Sequence, residues 1–477
     1  MQPCDYGTFA DVVWLFIIEF KSYNKSFRKM AKAAFRFSKE KKNSEGKLGL
    51  VMCTALVIGN MIGSGIYLLP SSLARYGGIS ILGWLFTTAG AVVLAMVFAR
   101  LSRLVSRSGG PYAFVHQGFG EFAGFLVAWG YWISIWTGNA AISVAMVGYL
   151  TTFLPALNSN PMWQIFTALS AIWILTLINV MGVRKAGLIQ VVTTVLKLIP
   201  IVTIAFAGLF YLKMDHFSPF NRSGSSSFFA ITATASLTLW AFLGLESASV
   251  PADDVQDPKR TIPRATIIGT IITAVVYVLG TTAVIGILPP ELAEKSSAPF
   301  ADAAGVIWGG WAGYFIAAGA AISCFGALNG WILLQGQMPR AIAIDGLFPK
   351  IFKTTSKHRT PLFGLIFSSI LVSILMAMNF TKSLVEQFTF IIMLATLACL
   401  IPYILCSLSE LMIYFKRREK LNKRRLFSST ILAIFAFLYS FWALAGLGRE
   451  IVYWGFLLLI AGIPVFCVVK KRDVKVD

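Results

Sequence analysis

Twelve stretches of about 20 predominantly apolar residues follow one another along this chain, joined by short polar connections. That length is what a helix needs to cross about 30 Å of hydrocarbon. Only helices and closed barrels satisfy every backbone N–H and C=O there. The blocks lack the period-two alternation of a barrel strand, so the expected fold is all-α and polytopic. Composition agrees: of 477 residues, 57% are hydrophobic and 13% charged, with mean hydropathy +0.74. A soluble chain of this length carries far more polar surface. The predicted spans are 48–70, 80–102, 120–154, 162–183, 187–212, 227–250, 266–288, 308–337, 362–380, 384–414, 426–447 and 450–469.

Net charge is +20, yet its distribution points to a lipid bilayer and not to nucleic acid. Lys and Arg sit in alternate short loops: Arg100, Arg103 and Arg107; Arg184 and Lys185; Lys259, Arg260 and Arg264; Lys350, Lys353, Lys357 and Arg359. The run Lys416–Arg425 and the tail Lys470–Arg472 fall on the same side, as does the basic N-terminal segment. The intervening loops are poor in basic residues, 155–161 having none. The positive-inside rule therefore predicts both termini in the cytoplasm. Residues 1–46 read as a basic N-terminal extension, 47–470 as the membrane domain and 471–477 as a short tail. Within the extension, Val12–Phe20 is too short to span and contains Glu19. It reads either as an interfacial helix or as sequence upstream of a start at Met30. No cleavable signal peptide is evident.

Six cysteines (Cys4, Cys53, Cys324, Cys399, Cys406 and Cys467) lie mostly inside apolar blocks without CxxC spacing, so neither disulfides nor a metal are expected. No phosphate loop, H-E-x-x-H or other cofactor motif is present. The three histidines, His116, His216 and His358, fall in loops or near span ends, which leaves Ser64 without a base and argues against an enzyme. A channel filter normally draws carbonyl or charge rings from several subunits; a non-transporting amino acid sensor would keep the same site as a carrier.

Two spans are unusual. The first carries Gly59-Asn60-Met61-Ile62-Gly63-Ser64-Gly65 and the sixth Trp240-Ala241-Phe242-Leu243-Gly244-Leu245-Glu246-Ser247. Each glycine weakens a helix by about 1 kcal/mol relative to alanine, and a charge at mid-span costs roughly 2.5–3.5 kcal/mol. Close packing of small residues explains glycines alone. Paired interruptions five spans apart, one with a carboxylate, point instead to an inverted repeat with a site at the membrane midplane.

The string GNMIGSGIYLLP (59–70) resembles the first-helix signature of the amino acid–polyamine–organocation superfamily, and TLWAFLGLESASV (238–250) resembles its sixth-helix signature. DPKRTIPRA (257–265), read as a loop, and DGLFPKIF (345–352) are further likenesses. Within the superfamily the chain is most similar to bacterial exchangers that swap a basic amino acid for its decarboxylation product: arginine/agmatine, lysine/cadaverine and ornithine/putrescine antiporters. The resemblance implies a LeuT-like five-plus-five inverted repeat, two further helices, commonly a homodimer, and residence in the inner cell membrane. It also implies small-molecule amino acids or amines as substrates and no cofactor.

Physical chemistry converges on the same residues. A half-helix beginning after Gly65 presents free N–H groups and a positive dipole end to a carboxylate, with Ser64 adding a hydroxyl. Carbonyls at the end of the preceding half-helix (Asn60, Met61, Gly63) and of Trp240–Phe242 suit an ammonium. Tyr131, Trp240 and Trp331 resemble family stacking or gate residues. An aromatic face over a cation contributes about 0.5–2 kcal/mol, although such residues also fill interfaces. Asn139 matches a position that contacts the distal end of the substrate in the arginine/agmatine exchangers; an interhelical hydrogen bond is its plainer role. Ser134, Ile135 and Ala395 depart from the residues those exchangers carry, while Ile142 and Leu243 keep the apolar wall.

Two buried charges complete the reading. Glu246, at membrane depth, must be paired, protonated or bathed in cavity water. It is expected to couple substrate charge or a proton to the outward-to-inward transition. Lys197 resembles a fifth-helix lysine of sodium-independent relatives, whose ammonium stands where sodium sits in sodium-coupled ones and braces helix one against helix eight. Snorkelling is a poor alternative, because Lys197 lies far from either end of its span.

Overall fold

The structure, a computed structural model, describes residues 48–181, 196–252, 255–356, 360–379, 382–417 and 423–473. The chain divides into two units, Met1–Leu48 and Gly49–Asp477, and everything below concerns the second. The expected extension with Val12–Phe20, residues 187–195 of the fifth span, Arg184, Lys185, Lys357, Arg359 and the end of the tail (474–477) lie outside the described residues.

Eleven helices among the described residues are long and apolar enough to cross a membrane, and no strand is formed by these residues. They begin with a broken pair, α1 (Leu50–Met61) and α2 (Ser64–Ala74). Next come α3 (Ile79–Leu104), the short α4 (Pro111–Phe119), α5 (Glu121–Leu150) and α6 (Pro161–Val180). The described part of the fifth expected span is a shorter apolar helix, α7 (Leu196–Tyr211). After it run α8 (Ser227–Leu239), α9 (Pro258–Ile287), α10 (Pro299–Trp308) and α11 (Gly310–Ile344). The last are α12 (Leu362–Asn379), α13 (Leu384–Arg417), α14 (Lys423–Ala445) and the consecutive α15 (Arg449–Ile460) and α16 (Gly462–Asp473).

Burial separates the scaffold from the rim. The most apolar stretch of α5 is 94% buried inside the protein, that of the final span only 22%; α5 is therefore central and packs on α11 and α13. α9 packs on both α1 and α3. One expectation is corrected here: 257–265 is not a loop. Pro258 occupies the first helical position, where its missing N–H is not needed, and Lys259, Arg260 and Arg264 ride on the opening turns of α9.

Both anticipated breaks are present, with altered boundaries. Ile62 is extended (ψ 95°) and the helix resumes at Ser64, earlier than the expected restart beyond Gly65. Two non-helical residues, Ile62 and Gly63, already redirect the chain, and Ser64 sits in the first turn, where N–H groups lack intrahelical partners anyway. In the sixth span, α8 tightens into a 3₁₀ turn at Trp240–Phe242, Leu243 is extended (ψ 134°) and Gly244 adopts φ 103°. Glycine alone takes that conformation readily. Beyond it comes a turn and a short 3₁₀ segment, Ser247–Ser249, so the span covers Ser227–Ser249, close to the expected 227–250, with its distal part irregular and not α-helical.

Candidate functional site

The first break sits against the sixth span because glycines permit it. A Cβ on Gly65 would lie 3.0 Å from the Cα of Ala241, and one on Gly63 3.1 Å from the Cβ of Ala327 on α11. Between the breaks lies a small cavity of about 20 Å³, lined by Asn60, Met61, Gly63, Ser64, Gly65, Ile142, Trp240, Leu243 and Trp331. That volume holds about one water. Eight of the eleven predicted substrate-binding residues thus converge on one cavity, together with Ile142. Its donors are the open N-terminus of α2, which has no side-chain cap, and the Ser64 hydroxyl, buried without a hydrogen-bond partner among the described residues. The amide oxygen of Asn60 is likewise buried and unpartnered. Trp240 closes one wall so tightly that a Cβ on Gly138 of α5 would stand 2.9 Å from its ring.

The C-terminal end of α1 would otherwise leave its last four carbonyls without partners. Three side chains from three different helices satisfy them. Lys197 Nζ donates to Gly59 O at 2.5 Å and to Ile62 O at 2.7 Å. Tyr277 of α9 donates to Met61 O at 2.5 Å, and Trp331 of α11 donates through Nε1 to Asn60 O at 3.3 Å. Lys197 is fully buried, with Cys324 of α11 in its neighbourhood. The lysine therefore lies behind the break and not in the cavity wall. Tyr67 donates to the backbone carbonyl of Lys197 at 3.2 Å, and Tyr149 donates to the carbonyl of Tyr67 at 2.6 Å, so the opening of α2 is held from α5 as well.

Three predicted residues do not line the cavity. Asn139 donates to the Oε1 of Gln335 at 2.7 Å, and Gln335 donates to Ser369 at 2.8 Å, an interhelical polar chain of the kind that ties membrane helices together. Tyr131 and Ser134 belong to a second cluster around Glu246. There the fully buried carboxylate accepts from Tyr403 of α13 at 2.8 Å, with Tyr131 near it and Cys399, beside Ser134, in the same group. No Lys or Arg among the described residues pairs with Glu246, and its Oε1 has no hydrogen-bond partner.

A third polar group stands at the ends of α3 and α11. Tyr112 on α4 donates to Asp345 at 2.6 Å, Arg107 approaches the same carboxylate at 3.9 Å, and Arg107 donates to His116 Nδ1 at 3.2 Å. Burial, then Arg107, lowers the His116 pKa from 6.5, while burial and Asp345 raise that of the Tyr112 phenol. Gly109 N donates to Val250 O at 3.1 Å, linking this group to the distal end of the sixth span.

Tyr277, Tyr403, Gln335 and the Arg107–Tyr112–Asp345 group escape sequence reasoning. A tyrosine within an apolar block reads as packing or as an interfacial belt, and only its distance from the span ends hints that its hydroxyl needs an internal partner.

The amino acid permease family model matches residues 48–466. The cadaverine/lysine antiporter of Escherichia coli (strain K12) is 37% identical over 338 residues, covering 70% of this chain and 75% of that protein. The putrescine transporter PotE of the same organism is 33% identical over 430 residues, 89% of this chain and 97% of its own. PotE of Haemophilus influenzae is 34% identical over 435 residues, 90% and 98% respectively. With broken helices meeting at a buried cavity and a family match running from the first described span into the last, this chain belongs to the amino acid permease family of the amino acid–polyamine–organocation superfamily and is a multi-pass membrane transporter.

Proposed function

We propose that the protein exchanges a cationic amino acid for its decarboxylated amine by alternating access, with both termini in the cytoplasm and a five-plus-five inverted repeat. The observation that carries this is the cavity between the two breaks: uncapped N–H donors of α2 and the Ser64 hydroxyl on one side, carbonyl-bearing chain ends and two indoles on the other. The donors suit a carboxylate, the carbonyls an α-ammonium, and Trp240 and Trp331 a distal cation. An amine that has lost its carboxylate keeps the ammonium contacts and gives up those of α2, a difference that lets one site handle both exchange partners. The names of the similar antiporter and transporter favour the same chemistry.

A space of about 20 Å³ is smaller than any amino acid, so admission requires an indole to swing away. Trp331 is the natural mover, since its hydrogen bond to Asn60 O, at 3.3 Å, occupies a carbonyl that an ammonium would use. The repeat is supported by the paired breaks and by the packing of α3 on α9 and of α5 on α11, second on seventh and third on eighth spans. Glu246, buried without a cation partner among the described residues, serves as the charge that answers substrate or proton. Lys197 holds the first break without sodium.

The decisive experiment is counterflow into proteoliposomes preloaded with a panel of amino acids and amines. Labelled lysine or ornithine uptake should be accelerated by internal cadaverine or putrescine and by few neutral amino acids. Acceleration by neutral amino acids alone would favour a broad permease instead, and no uptake under any preload would point to a sensor.

A further inference from the structure

Away from the substrate cavity, a second and larger pocket of about 340 Å³ opens between the segment after α11 and the last helix, α16. Its volume falls at the lower end of the range of small-molecule sites. Phe348, Pro349, Val465 and Val468 form apolar walls, and Lys350 and Lys353, both exposed on one 3₁₀ turn, stand at its rim. Val468 is 54% exposed, so the pocket faces the surroundings of the bundle. Its level in the membrane follows from α16: Val465 and Val468 belong to the last apolar turns, and Lys470 begins the basic end. Lys470 is held by Glu121 at 2.5 Å. Neither Lys350 nor Lys353 pairs with a carboxylate among the described residues.

An apolar slot at the end of a span, with two uncompensated ammonium groups where the headgroups begin, is complementary to one kind of molecule. We propose that this pocket is a binding site for an anionic glycerophospholipid, its phosphodiester held by Lys350 and Lys353 and the upper part of an acyl chain laid against Phe348, Val465 and Val468. Basic pockets between membrane helices on the cytoplasmic side recognise such headgroups, and that leaflet is the one assigned to this end by the charge bias of the loops. Aliphatic carbon in the slot removes Val468 and its neighbours from water that reaches the rim. The site lies on the segment that follows Asp345, the acceptor of Tyr112, so lipid binding would steady that end of α11.

The test uses the full chain in nanodiscs made from equal parts phosphatidylcholine and phosphatidylglycerol, followed by native mass spectrometry of the lipids that stay bound. Wild type should retain one phosphatidylglycerol per chain in preference to phosphatidylcholine. Lys350→Gln with Lys353→Gln should weaken that preference by about fivefold per ammonium, the worth of a basic residue beside an anionic surface. Val468→Trp keeps both lysines but fills the slot, and should lose the retained lipid. Retention unchanged in Val468→Trp would mean diffuse surface charge and overturn the site, as would equal retention of both lipids by wild type. Displacement by glycerol 3-phosphate, which has no chain, would overturn the lipid assignment. Lipid retention is read without substrate, so its outcome is separate from that of counterflow.

Discussion

Replacing Lys197 by methionine keeps an unbranched apolar stem of similar length and removes only the ammonium that caps the first break. Two hydrogen bonds are lost, to Gly59 O at 2.5 Å and to Ile62 O at 2.7 Å. Leaving a buried acceptor unsatisfied costs about 1–3 kcal/mol, hence roughly 2–6 kcal/mol for the pair. Relief from burying a charge offsets part of this, so a net loss of about 2 kcal/mol is the working figure. Applied to the equilibrium that keeps α1 and α2 parted at Ile62 and Gly63, about 2 kcal/mol lowers the competent population some 30-fold. Counterflow in proteoliposomes, with thermal unfolding in detergent as the companion measurement, should show exchange reduced by more than tenfold and a lower midpoint. Lys197→Ala should be at least as defective, because it adds a cavity. Replacing sodium by choline should leave wild-type exchange unchanged. Wild-type exchange and stability in Lys197→Met, or a sodium requirement in the native protein, would refute the assignment of this ammonium as the cap.

Tyr277→Phe leaves Met61 O without its partner and should lower stability by about 1–3 kcal/mol in thermal unfolding, with little change in substrate affinity. Gly65→Ala drives a methyl to 3.0 Å from the Cα of Ala241; overpacking of this kind costs about 1–3 kcal/mol, and labelled-substrate binding should fall accordingly. Glu246→Gln keeps an acceptor for Tyr403 but no charge, so affinity, exchange rate and their pH dependence should change; all three unchanged would remove its coupling role. His116 has a lowered pKa because burial, and after it Arg107, disfavours the charged ring. The stability it contributes is complete above the unfolded value near 6.5 and is lost as pH falls through the lowered native one, when the protonated ring can no longer accept from Arg107. His116→Gln should flatten that acid limb in a pH series of unfolding midpoints.

Much of the architecture is legible in the sequence, for physical reasons. A 20-residue apolar block has one stable solution in hydrocarbon. The breaks were legible because glycine and a carboxylate at mid-span are costly enough to require an explanation. Eight of the predicted binding residues lie on those two segments or on α11 and line one cavity. Less legible were residues whose part depends on a neighbour distant in sequence. Asn139 looks like a pocket residue until Gln335 is found 2.7 Å away. Tyr131 and Ser134 belong with Glu246 and α13 only once α5 is rotated into place.

What the amino-acid order determined by itself is where the chain must enter hydrocarbon, where it cannot stay helical, and which charges need shelter there. These follow from local chemistry, the hydration of each side chain and the torsional freedom of Gly244. Tertiary structure alone decided which groups supply the shelter. Lys197, Tyr277 and Trp331 reach the four carbonyls of one helix end from three different helices, and no pattern along the chain encodes that meeting. A hydrogen bond is directional and acts within about 3 Å, so its partner is chosen by how the helices pack and not by their separation in sequence.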